Sequence, residues 1–480
     1  MGWYQTFIEN IPEVRGPTQK KLSFKEKLKW TLIVLVLYFV LGLVSLFGLD
    51  PQYQFRFEQL ALILGADFGS LVSLGIGPIV TASIVLQLLN GSGIIKFDLT
   101  KPEGKKTFQG TQKLLAVFFV IFESAIYVMM GGLAPIASFV GTPTYFSLQM
   151  LLIAQLTLGG LLVILMDEVV SKWGFGSGIS LFIVAGVANN IFIQAFSPLN
   201  SAGKWAFGSG QAPIGQVWAF FVQIMQNNPT DAGLALAAII STVVVFGISV
   251  YTQAMKIDIP LSFGRVRGFG IRWPLRFIYT SNIPVILVAA LMANVQLWAR
   301  LLQNWGLPIL GTFINNQPAT GFVAWIDGPN LVRSIFTGTF SFFPLGKGLL
   351  YALNNSDFLH SLVYILFMMA GSVLFSIFWV QTSGMDARSV AKQIMASGLS
   401  IPGFRKDERI LETILQRYIG PLTVMGALAV GFLAATADLT GALSRGTGIL
   451  LSVMIIYKMY EDIAKQHMMD MHPIMRKFME

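Results

Sequence analysis

Ten stretches of this sequence are each about 20 residues long and nearly free of charge, and no other feature constrains the fold as much. They fall at approximately 28–49, 71–95, 113–134, 146–167, 177–197, 232–255, 277–299, 361–381, 419–438 and 446–463. A hydrocarbon core about 30 Å thick needs about 20 apolar residues of helix, because a helix rises about 1.5 Å per residue. Backbone groups in lipid must be satisfied internally, which leaves helices or a closed barrel. Runs such as Leu32-Ile-Val-Leu-Val-Leu37 do not alternate, so the segments are helices. Composition agrees, with 54% hydrophobic and 12% charged residues, where soluble domains carry about 25% charged. A soluble enzyme and a disordered chain are excluded, and zero Cys removes disulfide scaffolds, thiolate catalysis and Cys-ligated metals. The fold class expected is an all-α polytopic membrane protein with ten spans.

Positive charge sets the orientation. Residues 1–29 hold Arg15, Lys20, Lys21, Lys25, Lys27 and Lys29, which puts the N-terminus in the cytoplasm. With alternation from there, only Arg56, Lys204, Arg300, Arg333, Lys347 and Arg445 of the 33 Lys and Arg fall on the outer side. A wrong span count would scramble that split. A cell-membrane location with both termini cytoplasmic is therefore expected. The first apolar run is longer than a signal-peptide core, and no small-x-small site follows Gly48-Leu-Asp-Pro51, so it is not a cleaved signal. Ahead of it, Trp3, Phe7, Ile8 and Ile11 form a stripe that suits either an interfacial anchor or a packing helix.

The chain divides into a cytoplasmic segment 1–29, a first half 30–199 with spans 1–5, and an external hinge loop 200–231. A second half 232–463 with spans 6–10 and a cytoplasmic tail 464–480 follow. Five spans per half make the second half enter from the opposite side, as in inverted repeats. This expectation rests on topology alone.

Motifs for chemistry are missing. There is no G-x-x-x-x-G-K-S/T phosphate loop, and His360, His467 and His472 have no carboxylate or second His at ligand spacing. No cofactor and no metal are expected. Ion-coupled transport needs ionisable groups at depth, and the clearest one is Glu123 in span 3. A Glu123 facing a polar cavity is the expected reading. A protonated Glu123 bonded to a neighbouring helix is the alternative.

Between Pro51 and span 2, Phe57-Glu-Gln-Leu-Ala-Leu-Ile-Leu-Gly-Ala-Asp-Phe-Gly69 is apolar and helix-prone. At about 20 Å it is too short to span. It either re-enters the membrane or lies flat on the outer surface. Span 2 opens with Gly75, Gly77 and Pro78, so its entrance should be irregular, and Thr81, Ser83 and Gln87 put polar groups in it. Gly-rich entrances recur at Gly174-Phe-Gly-Ser-Gly-Ile179 and Gly446-Thr-Gly-Ile-Leu-Leu451, which suggests tight helix packing.

These residues carry a resemblance. Leu74-Gly-Ile-Gly-Pro-Ile-Val-Thr-Ala-Ser-Ile-Val-Leu-Gln-Leu-Leu89 resembles span 2 of the SecY family of translocon channel subunits, nearer its archaeal and eukaryotic branch. Pro102-Glu with Phe108-Gln-Gly-Thr-Gln-Lys-Leu114, Arg276-Phe-Ile-Tyr-Thr-Ser-Asn-Ile-Pro-Val-Ile-Leu287, Gly403-Phe-Arg-Lys406 and Gly446-Thr-Gly448 match that branch in order. The resemblance implies two inverted five-helix halves around a pore. It also implies a plug at 57–69, containing Phe57, Leu60, Leu64, Asp67 and Phe68, which favours the re-entrant reading. An aliphatic pore ring would comprise Ile76, Val80, Ile179, Ile183, Ile286 and Leu451. Within it Ile76 and Val80, like Ile179 and Ile183, are i, i+4 pairs on one helix face. A lateral gate would lie between spans 2 and 7, with Gln87, Asn294 and, from span 3, Glu123, where the family often carries Gln.

The function implied is a passive protein-conducting channel. It would pass unfolded chains across the membrane and release transmembrane segments sideways into lipid. The loops 256–276 and 381–417 are long and basic, and Phe263-Gly-Arg-Val-Arg-Gly-Phe-Gly270 has the pattern of a projecting hairpin. By resemblance, Arg265, Arg267, Arg405 and Lys406 would dock a translating ribosome, including its RNA, or a motor ATPase in bacterial-type systems. The resemblance further implies small single-span partners of the SecE/gamma and beta types, and substrates that carry signal sequences. The rival reading is an ion-coupled transporter or lipid flippase, which the scarcity of buried charge disfavours.

Overall fold

Polar turns, more than apolar length, decide where the helices of this chain begin and end. The computed structural model describes all residues except 1–11, 19–21, 51–68, 92, 96, 98–101, 201–203, 208–210, 264–269, 281–282, 315–316, 341–355, 397–398, 401–407 and 472–480. Each of the ten expected spans contains a helix. In order they are Phe24–Leu43, Gly77–Gly91, Pro102–Met129, Pro143–Trp173, Gly178–Phe196, Pro229–Ala254, Ile283–Asn304, Asp357–Thr382, Glu408–Leu439 and Gly446–Met471, called spans 1–10 below. Seven of them, spans 3–9, are long and apolar enough to cross a membrane on length and composition. Spans 1 and 10 carry charged turns at one end, and span 2 has only 15 residues.

The boundaries shift where charged helix continues an apolar run. Span 3 starts at Pro102, with Glu103 in its first turn, because Pro needs no N–H there and the acid complements the helix N-terminus. Span 9 starts at Glu408 and carries Pro421 inside it. Span 7 starts later than expected, at Ile283. Residues through Arg276 are instead strand β2 (Gly270–Arg276), paired antiparallel with β1 (Lys256–Phe263). The basic loop 256–276 is thus a hairpin, as its sequence suggested. A short strand β3 (Leu399–Ser400) from the second basic loop extends the sheet through Phe263, a link that no sequence signal announced. Tyr279 donates its hydroxyl to the Met385 carbonyl at 2.7 Å, joining the same two loops. Burial pushes that hydroxyl up to about 12, so it remains a donor. Arg276 and Lys256 both meet Glu461 of span 10. The segment between spans 5 and 6 holds an unforeseen helix, Gln216–Met225, packed on span 6.

At the basic end of the bundle, Pro12–Arg15 is strapped across spans 3 and 4. Val14 N donates to Glu168 Oε2 at 2.9 Å, Lys172 Nζ to the Val14 carbonyl at 2.6 Å, and Trp173 Nε1 to the Arg15 carbonyl at 2.9 Å. The stripe Trp3–Ile11 lies outside the described residues.

Packing repeats between the halves. Span 2 lies on 3, 3 on 4, 4 on 5 and 1 on 5; span 7 lies on 8, 8 on 9, 9 on 10 and 6 on 10. The halves meet along two seams, span 5 against span 10 and span 2 against spans 7 and 8. Under an inversion that exchanges spans 1–5 with 6–10, spans 2 and 7 are equivalents, as are 5 and 10. Each seam therefore brings a helix against its own counterpart, and span 2 meets span 8 as extensively as span 7.

Candidate functional site at the waist and the seam

The site is built from helix entrances, and the entrances are set by carboxylates. Asp167, on span 4, accepts from the Ile179 amide of span 5 at 3.0 Å. Asp438, on span 9, accepts from the Thr447 amide of span 10 at 2.7 Å. Ile179 and Thr447 are each the second residue of their helix, so one orphan N-terminal donor is satisfied in the same way at both. Four residues on, at the same depth in each helix, stand Ile183 and Leu451.

Glycine lets these entrances pack. A Cβ on Gly446 would lie 2.1 Å from the Ala437 carbonyl carbon, and one on Gly178 would lie 2.6 Å from Asp167 Cα. No side chain fits either place, so the Gly-rich entrances do mark close helix contacts. Span 2 is entered through turns at 71–76, with Gly75 at φ +52°, which bears out the irregular entrance expected from Gly75, Gly77 and Pro78.

The six aliphatic positions all belong to or pack against the large apolar cluster of the bundle. Ile76, Val80, Ile183, Ile286 and Leu451 are at most 8% exposed, and Ile179 is half-buried against the same apolar cluster. Ile183, Ile286 and Leu451 face a cavity of about 20 Å3 between spans 5, 7 and 10. That is room for about one water. On the side of Ser444 and Arg445 opens a polar cavity of about 660 Å3, and those two residues line both spaces. His360 stands in its wall, stacked on Trp325 with ring centroids 4.2 Å apart.

The seam between spans 2 and 7 is bridged by Thr81. Its hydroxyl lies 3.1 Å from Glu123 Oε1 of span 3 and accepts from Asn294 Nδ2 of span 7 at 2.9 Å. The expectation that Glu123 faces a polar cavity is corrected. Its carboxylate bonds the neighbouring helix, and the residue is 8% exposed. Asn294 does reach the seam. Gln87 sits in the same helix about 9 Å beyond Thr81, is buried, and donates to Ser83 Oγ at 3.1 Å, so it does not join the bridge. Among the polar residues Thr81, Ser83 and Gln87 of this helix, no sequence signal marks Thr81 as the bridging one. Further along the seam, Gly91 lies against Phe378 of span 8, where a Cβ would come within 2.4 Å of the ring.

Of the plug set, Phe57, Leu60, Leu64, Asp67 and Phe68 lie outside the described residues, as do Arg265, Arg267, Arg405 and Lys406. Among the described residues no group of His, Asp and Glu is arranged to hold a metal.

The SecY family profile matches residues 70–460. The SecY translocase subunit of Methanothermobacter thermautotrophicus is 42% identical over 99% of this chain and 98% of its own length, and that of Methanocaldococcus jannaschii is 41% identical over 98% of each. Among solved structures, one described as a protein conducting channel is 40% identical, covers 98% of both chains and superposes with a TM-score of 0.79. Sec61 in a canine ribosome–channel complex is 40% identical over 98% of both chains, with a TM-score of 0.75. The family match over residues 70–460 and the near full-length matches at about 40% identity agree: the chain belongs to the SecY family.

Proposed function

We propose that this chain is the channel subunit of a protein translocase, one that conducts unfolded polypeptide through the waist and releases apolar segments sideways between spans 2 and 7. The observation that carries the reading is the meeting of Ile183, Ile286 and Leu451, from three spans, at a small apolar cavity that shares Ser444 and Arg445 with a polar cavity of about 660 Å3. Aliphatic side chains offer water and ions no hydrogen bonds, so a narrow collar of them dewets and resists leakage. They also offer no specific contact to a passing chain, so sequence does not matter to passage. A ring of carboxylates would instead hold cations.

In this reading the basic end is cytoplasmic, the segment 57–69 plugs the outer mouth, and the Thr81 bridge closes the lateral exit until an apolar signal segment displaces it. The chain performs no chemistry of its own; force comes from a ribosome or a motor ATPase at the hairpin 256–276 and the loop 381–417. Arg265, Arg267, Arg405 and Lys406 are the docking residues, and small SecE/gamma-type and beta-type subunits complete the complex. The ribosome-bound Sec61 relative supports a ribosomal partner.

The test is a stalled secretory chain in reconstituted membranes, with photo-crosslinkers at Ile76, Ile183 and Leu451. Crosslinks from all three positions are expected. A chain that reaches none of them, while a small solute is taken up, would replace the channel with a transporter.

A further inference from the structure

Arg445 is a cation at the exit of an otherwise aliphatic waist. It immediately precedes span 10, borders the small cavity beside Ile183, Ile286 and Leu451, and borders the large polar cavity on its other side. Its Nη2 lies 3.4 Å from Asp327 Oδ1, and the two side chains are 23% and 19% exposed. Asp327 belongs to the segment between spans 7 and 8 and also accepts from Gln296 Nε2 of span 7 at 3.2 Å. The other nearby carboxylate, Asp438, is committed to Tyr364, at 2.5 Å, and to Thr447.

The Arg445–Asp327 contact is one-pronged and long. Charge-assisted N–H···O bonds close to about 2.7–2.9 Å and arginine favours two-pronged contacts with carboxylates, so a better-placed carboxylate can compete. The cavity on this side is large enough to bring one. A chain emerging from the waist passes the guanidinium first, before bulk water screens it.

We infer that Arg445, with Asp327 as its resting partner, forms a carboxylate-binding subsite at the exit of the waist, which takes Asp and Glu side chains of a passing polypeptide and repels Lys and Arg. It rests on the channel reading above and adds a charge preference to a pore whose ring has none. Exchange is balanced: the arriving carboxylate replaces Asp327 on Arg445, and Asp327 keeps its bond from Gln296.

The chain has no Cys, so a single Ser444→Cys thiol carries a photo-crosslinker next to Arg445 without other labels. Chains stalled in the full reconstituted complex would place an Asp, Asn or Lys tract at the same distance from the stall. Crosslink yield for the Asp tract should exceed that for the Lys tract by about fivefold, the ratio of one charge pair in partly wet surroundings. Arg445→Gln should bring the ratio to about one, and Arg445→Lys should keep it above one. Asp327→Asn, which removes the competing carboxylate, should raise it. Taking the ratio within each variant cancels a general loss of channel, and the opposite signs of the Arg445 and Asp327 variants guard against a misfolded one. A ratio near one in the unmodified pore, or one unchanged by Arg445→Gln, overturns the subsite. A neutral Asn tract that never reaches the probe overturns the channel reading itself, and the subsite with it.

Discussion

Replacing Thr81 by Val removes one hydroxyl and no volume, and it strips the seam of its only bridge between Asn294 and Glu123 among the described residues. Each hydrogen bond is worth about 0.5–1.5 kcal/mol net, and a buried polar group left without a partner costs about 1–3 kcal/mol. The closed seam should therefore lose roughly 1–3 kcal/mol relative to the open one, a shift of about 5- to 150-fold in the opening equilibrium. The assay is export of a reporter whose signal sequence has a shortened apolar core, so that the unmodified channel barely accepts it. Thr81→Val should raise the exported fraction, and Thr81→Ser, which keeps the hydroxyl, should not. Converting Thr81, Asn294 and Glu123 together to Val, Leu and Leu should reverse the effect, because an all-apolar seam has nothing left to satisfy. If Thr81→Val exports no more than the unmodified channel, the bridge contributes nothing to closure and the reasoning is refuted.

Further outcomes follow from the same geometry. Ile183→Asn or Leu451→Asn puts a hydrogen-bonding group on the cavity between spans 5, 7 and 10, and should raise ion conductance in planar bilayers by wetting the waist. Gly446→Ala forces a Cβ to within 2.1 Å of span 9 backbone; overpacking of this kind costs about 1–3 kcal/mol, to be read as a lowered midpoint of thermal unfolding in detergent. The Lys172 hydrogen bond holds the Glu13 carboxyl below its ordinary value of 4.5. The strap at 12–15 therefore gains from Glu13 at neutral pH and loses that contribution as pH falls through the lowered value, so protease cleavage there should increase only in acid.

Much of this architecture was legible because lipid enforces it. Each of the ten apolar runs yielded a helix, and the glycines at 446 and 178 did mark backbone contacts. Boundaries were not legible, since hydropathy reports where lipid ends and Pro102–Lys113 shows helix continuing well past that point. The same limit hid the late start of span 7, because residues 277–280 form bends and turns after the ladder with Lys256–Phe263 ends. The six aliphatic positions could not have been picked out by chemistry, as isoleucine in a membrane helix usually faces lipid or core; only the motif match singled them out. Arg445 and Asp327 are far apart in sequence and lie between helices, where charge draws no notice until the fold brings the two together.

The paired caps at Asp167 and Asp438 carry a meaning beyond local helix geometry. They sit at opposite ends of the bundle and do the same work for successive helices of each half. The two seams, 2 with 7 and 5 with 10, then have the character of isologous contacts, in which one surface meets a copy of itself. Such an interface belongs to a two-fold dimer, yet here both copies lie on one chain. With both halves on one chain, each carries its own charges: one has a cation, Arg445, beside the small cavity, and the other an acid, Glu123, at the seam, with no matching charge required in its counterpart.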